Sequence, residues 1–460
     1  MRIDLFAYNV YFGDCFLLVL TYPDGAKRSV LIDFGSTGKG KTDHGPVVDD
    51  SDETNAETTG ARLLKVANHI SQTCGNSLDV IVATHRHKDH VYGFGLKEAG
   101  KIILDCKPKI VIQPWTEDPN DNRDMSKKVS VNNGTQFEAD PRKNFALMLD
   151  DMHQVAGAIE AEALRLGDRD VFTQAISSDL KERIVFAADD NKIKNKAAVE
   201  NLRAMSENPQ SEGHFVFYGY DKIDWNSILP GVKVSILGPP SLDQSSQITS
   251  ATNTSSEFWS LMAMNQYFWG VQAATNPVVR DAGGLAPLFP REKAMLKNRP
   301  ANVRWIIRRL RSLRASQLLE LVKFVDGALN NTSVILLFEI GDQKLLFPGD
   351  AQIENWRYAL EQPGIKALLA DTTLYKVGHH GSRNATPKSL WNKFAKRSID
   401  TKKSDRLKTV ISTMKGKHGE TPETAVPLPK MVNEMKNQSE YRSTDELRGE
   451  IFDQITIGVE

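Results

Sequence analysis

The sequence predicts an α/β protein whose core is interrupted by a large, mostly helical insertion. Three observations carry this. Short runs rich in Val, Ile, Leu, Phe and Tyr gather toward the two ends of the chain, where Gly, Pro, Asn and Asp bound them. Between 145 and 328 the apolar residues recur mostly at helical spacing instead. A dense cluster of His and Asp also stands where one of the apolar runs stops, at 84–90.

The opening residues 1–35 predict a hairpin and a third strand. Ile3 to Val10 and Cys15 to Tyr22 are strand-like, Pro23-Asp24-Gly25 is a turn, and Ser29 to Asp33 follows. Residues 36–60 are polar, with the acidic run Asp49-Asp50-Ser51-Asp52-Glu53, and predict a loop near the mouth of a site. A helix is expected from Thr59 to Ser71, with Leu63, Leu64, Val66, Ala67 and Ile70 on its apolar side. Leu78 to Ala83 predicts a buried strand, and Ile110-Val111-Ile112 the next one. Residues 116–144 predict an exposed loop. Residues 145–207 predict helix, with Met148, Met152, Val155, Ile159 and Leu164 in register. One strand returns at 232–237, a Ser/Thr/Gln/Asn-rich loop spans 241–256, and 257–328 turn helical again. The division expected is therefore 1–115, an insertion over 116–327, and 328–460.

Thr84-His85-Arg86-His87-Lys88-Asp89-His90 follows the Leu78–Ala83 run. Three of the chain's ten His lie in this turn. Imidazole and carboxylate together suit Zn²⁺, with Mn²⁺ or Fe as alternatives. His85 and His87 are two apart, so in an extended segment they point to one side and can pinch one ion. Asp89 and His90 lie beyond them and can reach a second. Two ions would hold a hydroxide between them and supply two Lewis acids.

This H-x-H-x-D-H arrangement resembles the signature of the metallo-β-lactamase superfamily. Further segments resemble that superfamily in the right order: Leu31-Ile32-Asp33-Phe34-Gly35, Phe347-Pro348-Gly349-Asp350, and Val377-Gly378-His379-His380-Gly381-Ser382. Asn9-Val10-Tyr11-Phe12-Gly13-Asp14, Asn330-Asn331-Thr332-Ser333-Val334 and the His-His-Gly-Ser stretch are similar to its ComEC-like branch. The later Lys417-His418-Gly419 turn resembles it loosely. The likeness covers 1–115 and 328–435, and nothing resembles the membrane channel that accompanies this domain in ComEC. It implies an αββα sandwich. It also implies His85, His87, Asp89, His90, Asp350 and His379 as metal ligands, Asp33 as a buttress behind them, and Asp89 and His380 in catalysis. His379 is the implied ligand by analogy with branches that place the first His there. His380 then stands behind it or protonates the leaving oxygen; the reverse assignment is the alternative.

The chain departs from the superfamily at one ligand. Only His153 and His214 lie between the His-rich loop and Asp350, neither at a strand end, and Gly238 stands where another His would be expected. Asn331 and Ser382 are candidate substrate contacts. In the insertion, Arg304, Arg308 and Arg311 fall on one helical face and Ile306, Leu310 and Leu313 on another. That face suits phosphate, or is simply a solvated charged face. His44 reads as exposed and His69 as packed or capping.

Composition bounds the partners. Lys plus Arg equals Asp plus Glu, 58 each, so no global basic signature for nucleic acid exists, although a local basic groove is compatible with it. No stretch approaches the roughly 20 apolar residues of a membrane helix. Met1-Arg2-Ile3-Asp4 does not read as a secretory leader. Cys15, Cys74 and Cys106 are too scattered for a disulfide framework and read as reduced thiols in the cytosol. The expected function is hydrolysis of a phosphodiester in DNA, RNA or a nucleotide by a metal-bound hydroxide. The alternatives are a peptidase, lactonase or other carbonyl hydrolase on the same metals, or a module that binds a protein partner through the insertion.

Overall fold

A computed structural model describes residues 1–38, 57–118, 195–241, 244–245, 330–383, 386–417, 425–447 and 449–459. Residues 1–120, 194–241 and 327–460 form one compact unit. Its described residues fold as a mixed α/β protein with two mixed sheets.

The strands in chain order are β1 (Arg2–Tyr8), β2 (Cys15–Thr21), β3 (Lys27–Phe34), β4 (Val80–Val82), β5 (Ile110–Pro114), β6 (Glu212–Val216), β7 (Val232–Gly238), β8 (Ile335–Ile340), β9 (Gln343–Phe347), β10 (Leu374–Lys376), β11 (Lys408–Ile411), β12 (Glu440–Ser443) and β13 (Phe452–Gly458). The first sheet runs β13-β1-β2-β3-β4-β5-β6 and the second β12-β11-β10-β9-β8-β7. In each, an antiparallel part adjoins a parallel part. β1, β2 and β3 pair antiparallel, while β3, β4, β5 and β6 run parallel. β7, β8 and β9 pair antiparallel, and β9, β10, β11 and β12 run parallel.

Period-two alternation sorts the side chains into layers. Ile3, Leu5 and Ala7 of β1 join Val80 and Val82 of β4, and Leu336 and Phe338 of β8, in a core between the sheets. Phe6, Tyr8 and Ile81 point the other way, toward α1 (Thr59–Thr73) and the helix α3 (Lys97–Asp105). Leu337, Leu346 and Tyr375 pack outward on the helices Ile353–Glu361 and Pro429–Gln438. The layers therefore run helix, sheet, sheet, helix. A strand buried on both faces has no polar face to alternate, which is why β4 reads as a continuous apolar run. Truncating an inter-sheet side chain such as Phe338, fully buried, should cost about 3–5 kcal/mol.

α1 shows the sequence logic most plainly. The Thr58 hydroxyl caps it by accepting from the Ala61 amide at 3.2 Å. Leu63, Val66, Ala67 and Ile70 then fall on one buried face.

Two expectations need correction. The segment that returns between the two blocks of the insertion carries more than the single strand expected at 232–237. Residues 195–241 return to the compact unit as the helix Lys196–Ser206 and two strands, β6 and β7, one on the edge of each sheet. β6 has no strand signature because it is a short edge: Glu212 and Gly213 are exposed and only Val216 is buried. Residues 116–117, expected at the start of an exposed loop, are buried as Thr116 and Glu117. The polar loop at 39–56, the helices expected over 145–194 and 257–328, and the loop expected at 246–256 lie outside the described residues.

Candidate metal centre

The ends of β3, β4, β9 and β10 bring the functional side chains together. β4 ends at Val82, and the chain then extends through Thr84 to His87 before turning into the short helix α2 (Lys88–Val91). Asp350 follows β9, and the 3₁₀ turn His379–Gly381 follows β10.

Glycine permits the packing. Gly13 and Gly35 press against the backbone of 89–90; a Cβ on Gly35 would lie 2.1 Å from the His90 nitrogen. Through that contact the Asp14 amide donates to the Asp89 carbonyl at 2.7 Å, and the Ser36 amide to the Lys88 carbonyl at 3.2 Å. The late histidines are placed by strain. His379 and His380 both take left-handed φ, at 43° and 50°, and Asp33 does so at 58°. Such conformations are costly for residues with a side chain and concentrate at functional sites.

Asp89, His90, Asp350 and His380 are all buried, and one ligand atom from each lies within 4.8 Å of the others. His90 Nε2 is 3.1 Å from Asp350 Oδ2. His380 Nε2 is 3.2 Å from Asp89 Oδ2 and 3.8 Å from Asp350 Oδ2. The other nitrogen of each ring is already engaged: His90 Nδ1 lies 2.7 Å from Asp33 Oδ2, and His380 Nδ1 3.0 Å from the Ser412 carbonyl oxygen. A proton on each Nδ1 leaves each Nε2 lone pair directed into the cluster, which is how metal-binding imidazoles are commonly oriented. Two carboxylates and two imidazoles prepared in this way can hold a metal ion.

The protonation energetics agree. Burial works against a charge on His90, but the Asp350 and Asp33 carboxylates outweigh it and hold its pKa well above the usual imidazole value. His380 is raised in the same manner: burial opposes its charge, and Asp14 and Asp350 outweigh the burial. Burial opposes the charge of Asp350 too, but the three imidazoles His90, His379 and His380 hold its pKa well below the usual carboxylate value. His85 goes the opposite way. Burial, then the neighbouring His90 and His87, push it well below the usual value.

The remaining candidates fall around this cluster. His85 Nε2 and His87 Nδ1 lie 3.0 Å apart, and the His85 ring is centred 4.1 Å from that of His90. His379 is partly exposed, its side chain at 23%, with Nε2 3.7 Å from Asp350 Oδ2. Of the two late histidines, His380 is thus in the buried cluster and His379 at its rim. Asp33 sits behind His90 and accepts from the Thr84 amide and hydroxyl, both at 2.7 Å. Asn331 donates to Glu354 at 3.1 Å, and Ser382 is half-buried beside the His379 turn. His214 lies on β6, bonded to Tyr220 at 3.1 Å and away from the cluster. His69 is packed, with Nδ1 2.9 Å from the Tyr8 hydroxyl and its ring 4.3 Å from Phe452. His44, His153, His418, Arg304, Arg308 and Arg311 lie outside the described residues.

Further residues complete the surroundings of the cluster. Lys376, fully buried, forms an ion pair with Asp14 and stands 3.9 Å from Asp350 Oδ1. Burial opposes its charge, yet Asp14 and Asp350 keep its pKa raised. Its signal in the sequence is a lone cation inside the apolar strand Leu374-Tyr375-Lys376-Val377. Phe12 covers the His380 ring with centroids 4.4 Å apart. Glu117 takes Arg86 in a two-pronged pair with Nε at 2.6 Å, tying the His-rich loop to the end of β5.

Fold and site together define a mixed α/β protein with a buried His/Asp cluster able to hold a metal ion. No protein-family model matches the chain, and no curated protein matches it. No helix among the described residues is long and apolar enough to cross a membrane.

Proposed function

We propose that this chain is a metal-dependent hydrolase of the metallo-β-lactamase superfamily, of the ComEC-like kind, acting on a phosphodiester. The observation that supports it most is the buried cluster Asp89–His90–Asp350–His380, assembled from three strand ends far apart in sequence. The superfamily reading rests on the motifs and their order. The choice of phosphodiester in DNA, RNA or a nucleotide rests on the same likeness.

Asp89, His90, Asp350 and His380 would hold one ion, and His85 with His87 offer donors for a second. The donor set suits Zn²⁺ first and Mn²⁺ second. A bound ion of this kind supplies Lewis acidity and activates water. The chain's own contribution is to fix the two rings through Asp33 and Ser412, to seal the cluster beneath Phe12, and to place a proton donor at its rim. We assign that donor to His379 and the ligand role to His380, the reverse of the assignment made by analogy. A partly exposed imidazole can exchange its proton with solvent; a fully buried one has no such path. The three free cysteines fit a cytoplasmic setting.

The test is a substrate panel on protein of measured metal content: bis-p-nitrophenyl phosphate, single- and double-stranded DNA, RNA, peptides, esters and lactones. We expect turnover of phosphodiesters that is abolished in His380→Ala. Turnover of a carbonyl substrate alone would transfer the protein to the carbonyl hydrolases. No turnover by metal-loaded protein, with the metal cluster intact, would favour a partner-binding module. His379→Ala should keep its metal and lose activity chiefly on substrates whose leaving group needs a proton. Metal loss in that variant would reverse the assignment.

A further inference from the structure

Arg86 stands between His85 and His87, and its side chain takes a different course from theirs. The two imidazoles meet at 3.0 Å. The guanidinium instead reaches Glu117, with Nε at 2.6 Å and Nη2 at 2.5 Å from its two carboxylate oxygens. Parallel pairing prepares this meeting. β4 and β5 run side by side, and the Ala83 amide beyond β4 still donates to the Ile112 carbonyl at 2.9 Å. Their continuations leave the sheet together, one as Thr84 to His87 and the other as the 3₁₀ turn Trp115–Glu117. The side chains of Arg86 and Glu117 are only 16% and 6% exposed. A two-pronged pair of this kind fixes direction as well as distance.

The backbone of Arg86 is held too. Asn195 Nδ2 donates to its carbonyl at 3.1 Å. Asn195 leads into the helix Lys196–Ser206, which also braces the far end of the loop. Asn201 Nδ2 donates to the Phe94 carbonyl at 2.7 Å. Gly95 makes room for this helix, since a Cβ there would lie 2.9 Å from the Ala198 nitrogen. Glu117, Asn195 and Asn201 all lie outside 1–115 and 328–435, where the superfamily likeness runs.

We propose that Arg86 is a positioning residue, gripped by Glu117 and Asn195 so that His85 and His87 present their rings to a second ion. This rests on the metal reading given above. A side chain clamped between two imidazoles sets the rotation of the short segment that carries all three. The Arg86 carbonyl belongs to the peptide that enters His87, so holding it restrains that ring's backbone. Glu117 has a second effect. A loose guanidinium at this place would repel an incoming cation, and the carboxylate cancels that charge. Orientation and neutralisation can be separated by substitution.

The experiment titrates the full-length, metal-free protein with Zn²⁺ against a colorimetric chelator and, separately, with Co²⁺ followed by visible absorption. The decisive variant is Arg86→Met combined with Glu117→Gln. It leaves no buried charge without a partner, so its metal-free melting should stay near wild type. Its second Zn²⁺ should nevertheless bind about 10–100-fold more weakly. The ion held by Asp89, His90, Asp350 and His380 should keep its affinity, and the absorption of the second Co²⁺ alone should change. Arg86→Lys keeps the charge without the fork and should rescue the second ion only in part. Asn195→Ala should weaken it in the same direction by less. A double variant that binds Zn²⁺ as the wild type does, whether one ion or two, would overturn the proposal. So would equal weakening of both ions, or full rescue by Arg86→Lys. Both titrations are read without substrate. The expected pattern without phosphodiester turnover would fail the hydrolase reading alone, whereas turnover without the pattern would fail this proposal alone.

Discussion

Two layers of carboxylate surround His90, and they are built differently. The inner layer is Asp14 and Asp33. Lys376 pairs with Asp14, and the amide and hydroxyl of Thr84 serve Asp33. The outer layer is Asp89 and Asp350. Its nearest charged partners are imidazoles, which carry charge only when protonated, while Asp350 also accepts from the His379 amide at 3.1 Å and has Lys376 at 3.9 Å. The inner layer has partners that are always present, Lys376 and Thr84, in addition to the His90 ring 2.7 Å from Asp33. The outer layer depends more on protons carried by His90 and His380, or on a bound cation. A buried site that leaves its front carboxylates to a removable charge is arranged for binding, whereas its rear carboxylates are arranged for support.

Replacing an outer group should produce the largest loss. His380→Ala or Asp350→Asn removes a donor from the four-atom cluster, and elemental analysis should find less than half the wild-type metal after dialysis. Melting in the presence of chelator should fall as well, because each substitution removes one member of a buried imidazole–carboxylate contact. Metal retained at the wild-type level in both variants would erase the distinction between the layers.

Breaking the inner ion pair should act on the fold first. Lys376→Met leaves Asp14 buried without its cation, and loss of one partner of such a pair costs about 3–5 kcal/mol. Asp14→Asn combined with Lys376→Met should recover most of that, since the layer is then neutral. Urea unfolding of the metal-free protein reads both. A double variant as unstable as the single one would mean that Lys376 serves Asp350 more than Asp14.

Asp33→Asn should come next in size. It keeps the shape behind His90 but weakens the acceptor that orients its ring. Metal affinity should fall about 10–100-fold, with stability lowered only modestly. Competition with a colorimetric chelator measures it.

The same contrast explains what the sequence discloses. Outer residues sit in a compact local pattern, His85 to His90, or at the strand ends Asp350 and His380, and a pattern along the chain can be read directly. The Asp14–Lys376 pair joins positions at opposite ends of the chain, and only the meeting of the two sheets makes it. β4 and α1 were legible because burial dictates their residues. β6 was not, because an edge strand with Glu212 and Gly213 exposed has almost no buried face to enforce a period. The choice between His379 and His380 could not be settled along the chain either. It depends on two successive left-handed residues that turn one ring inward and leave the other at the rim.

The last effect is a dependence on pH, and its sign follows from the layers. In the metal-free protein the folded-state pKa values of His90 and His380 are raised. Their contribution to stability is therefore complete below the unfolded value of about 6.5 and is lost as pH rises through their folded values. Asp350, lowered, contributes above the unfolded carboxylate value and fails only as pH falls through its folded value. His85 opposes the other two imidazoles: lowered by burial, it penalises the fold as pH drops below the unfolded value. Metal needs the neutral imidazoles, so each of His90 and His380 that binds an ion must release its proton. Affinity should then rise with pH by up to about tenfold per unit for each proton released. The melting gain on adding Zn²⁺ should grow from pH 6 to pH 8 by more than the metal-free protein loses over the same range. In Asp33→Asn the gain should rise less steeply, because one carboxylate that holds the His90 proton is gone. A gain independent of pH would mean that the imidazoles are already neutral without metal, and the outer layer would then be compensated by something other than their protons.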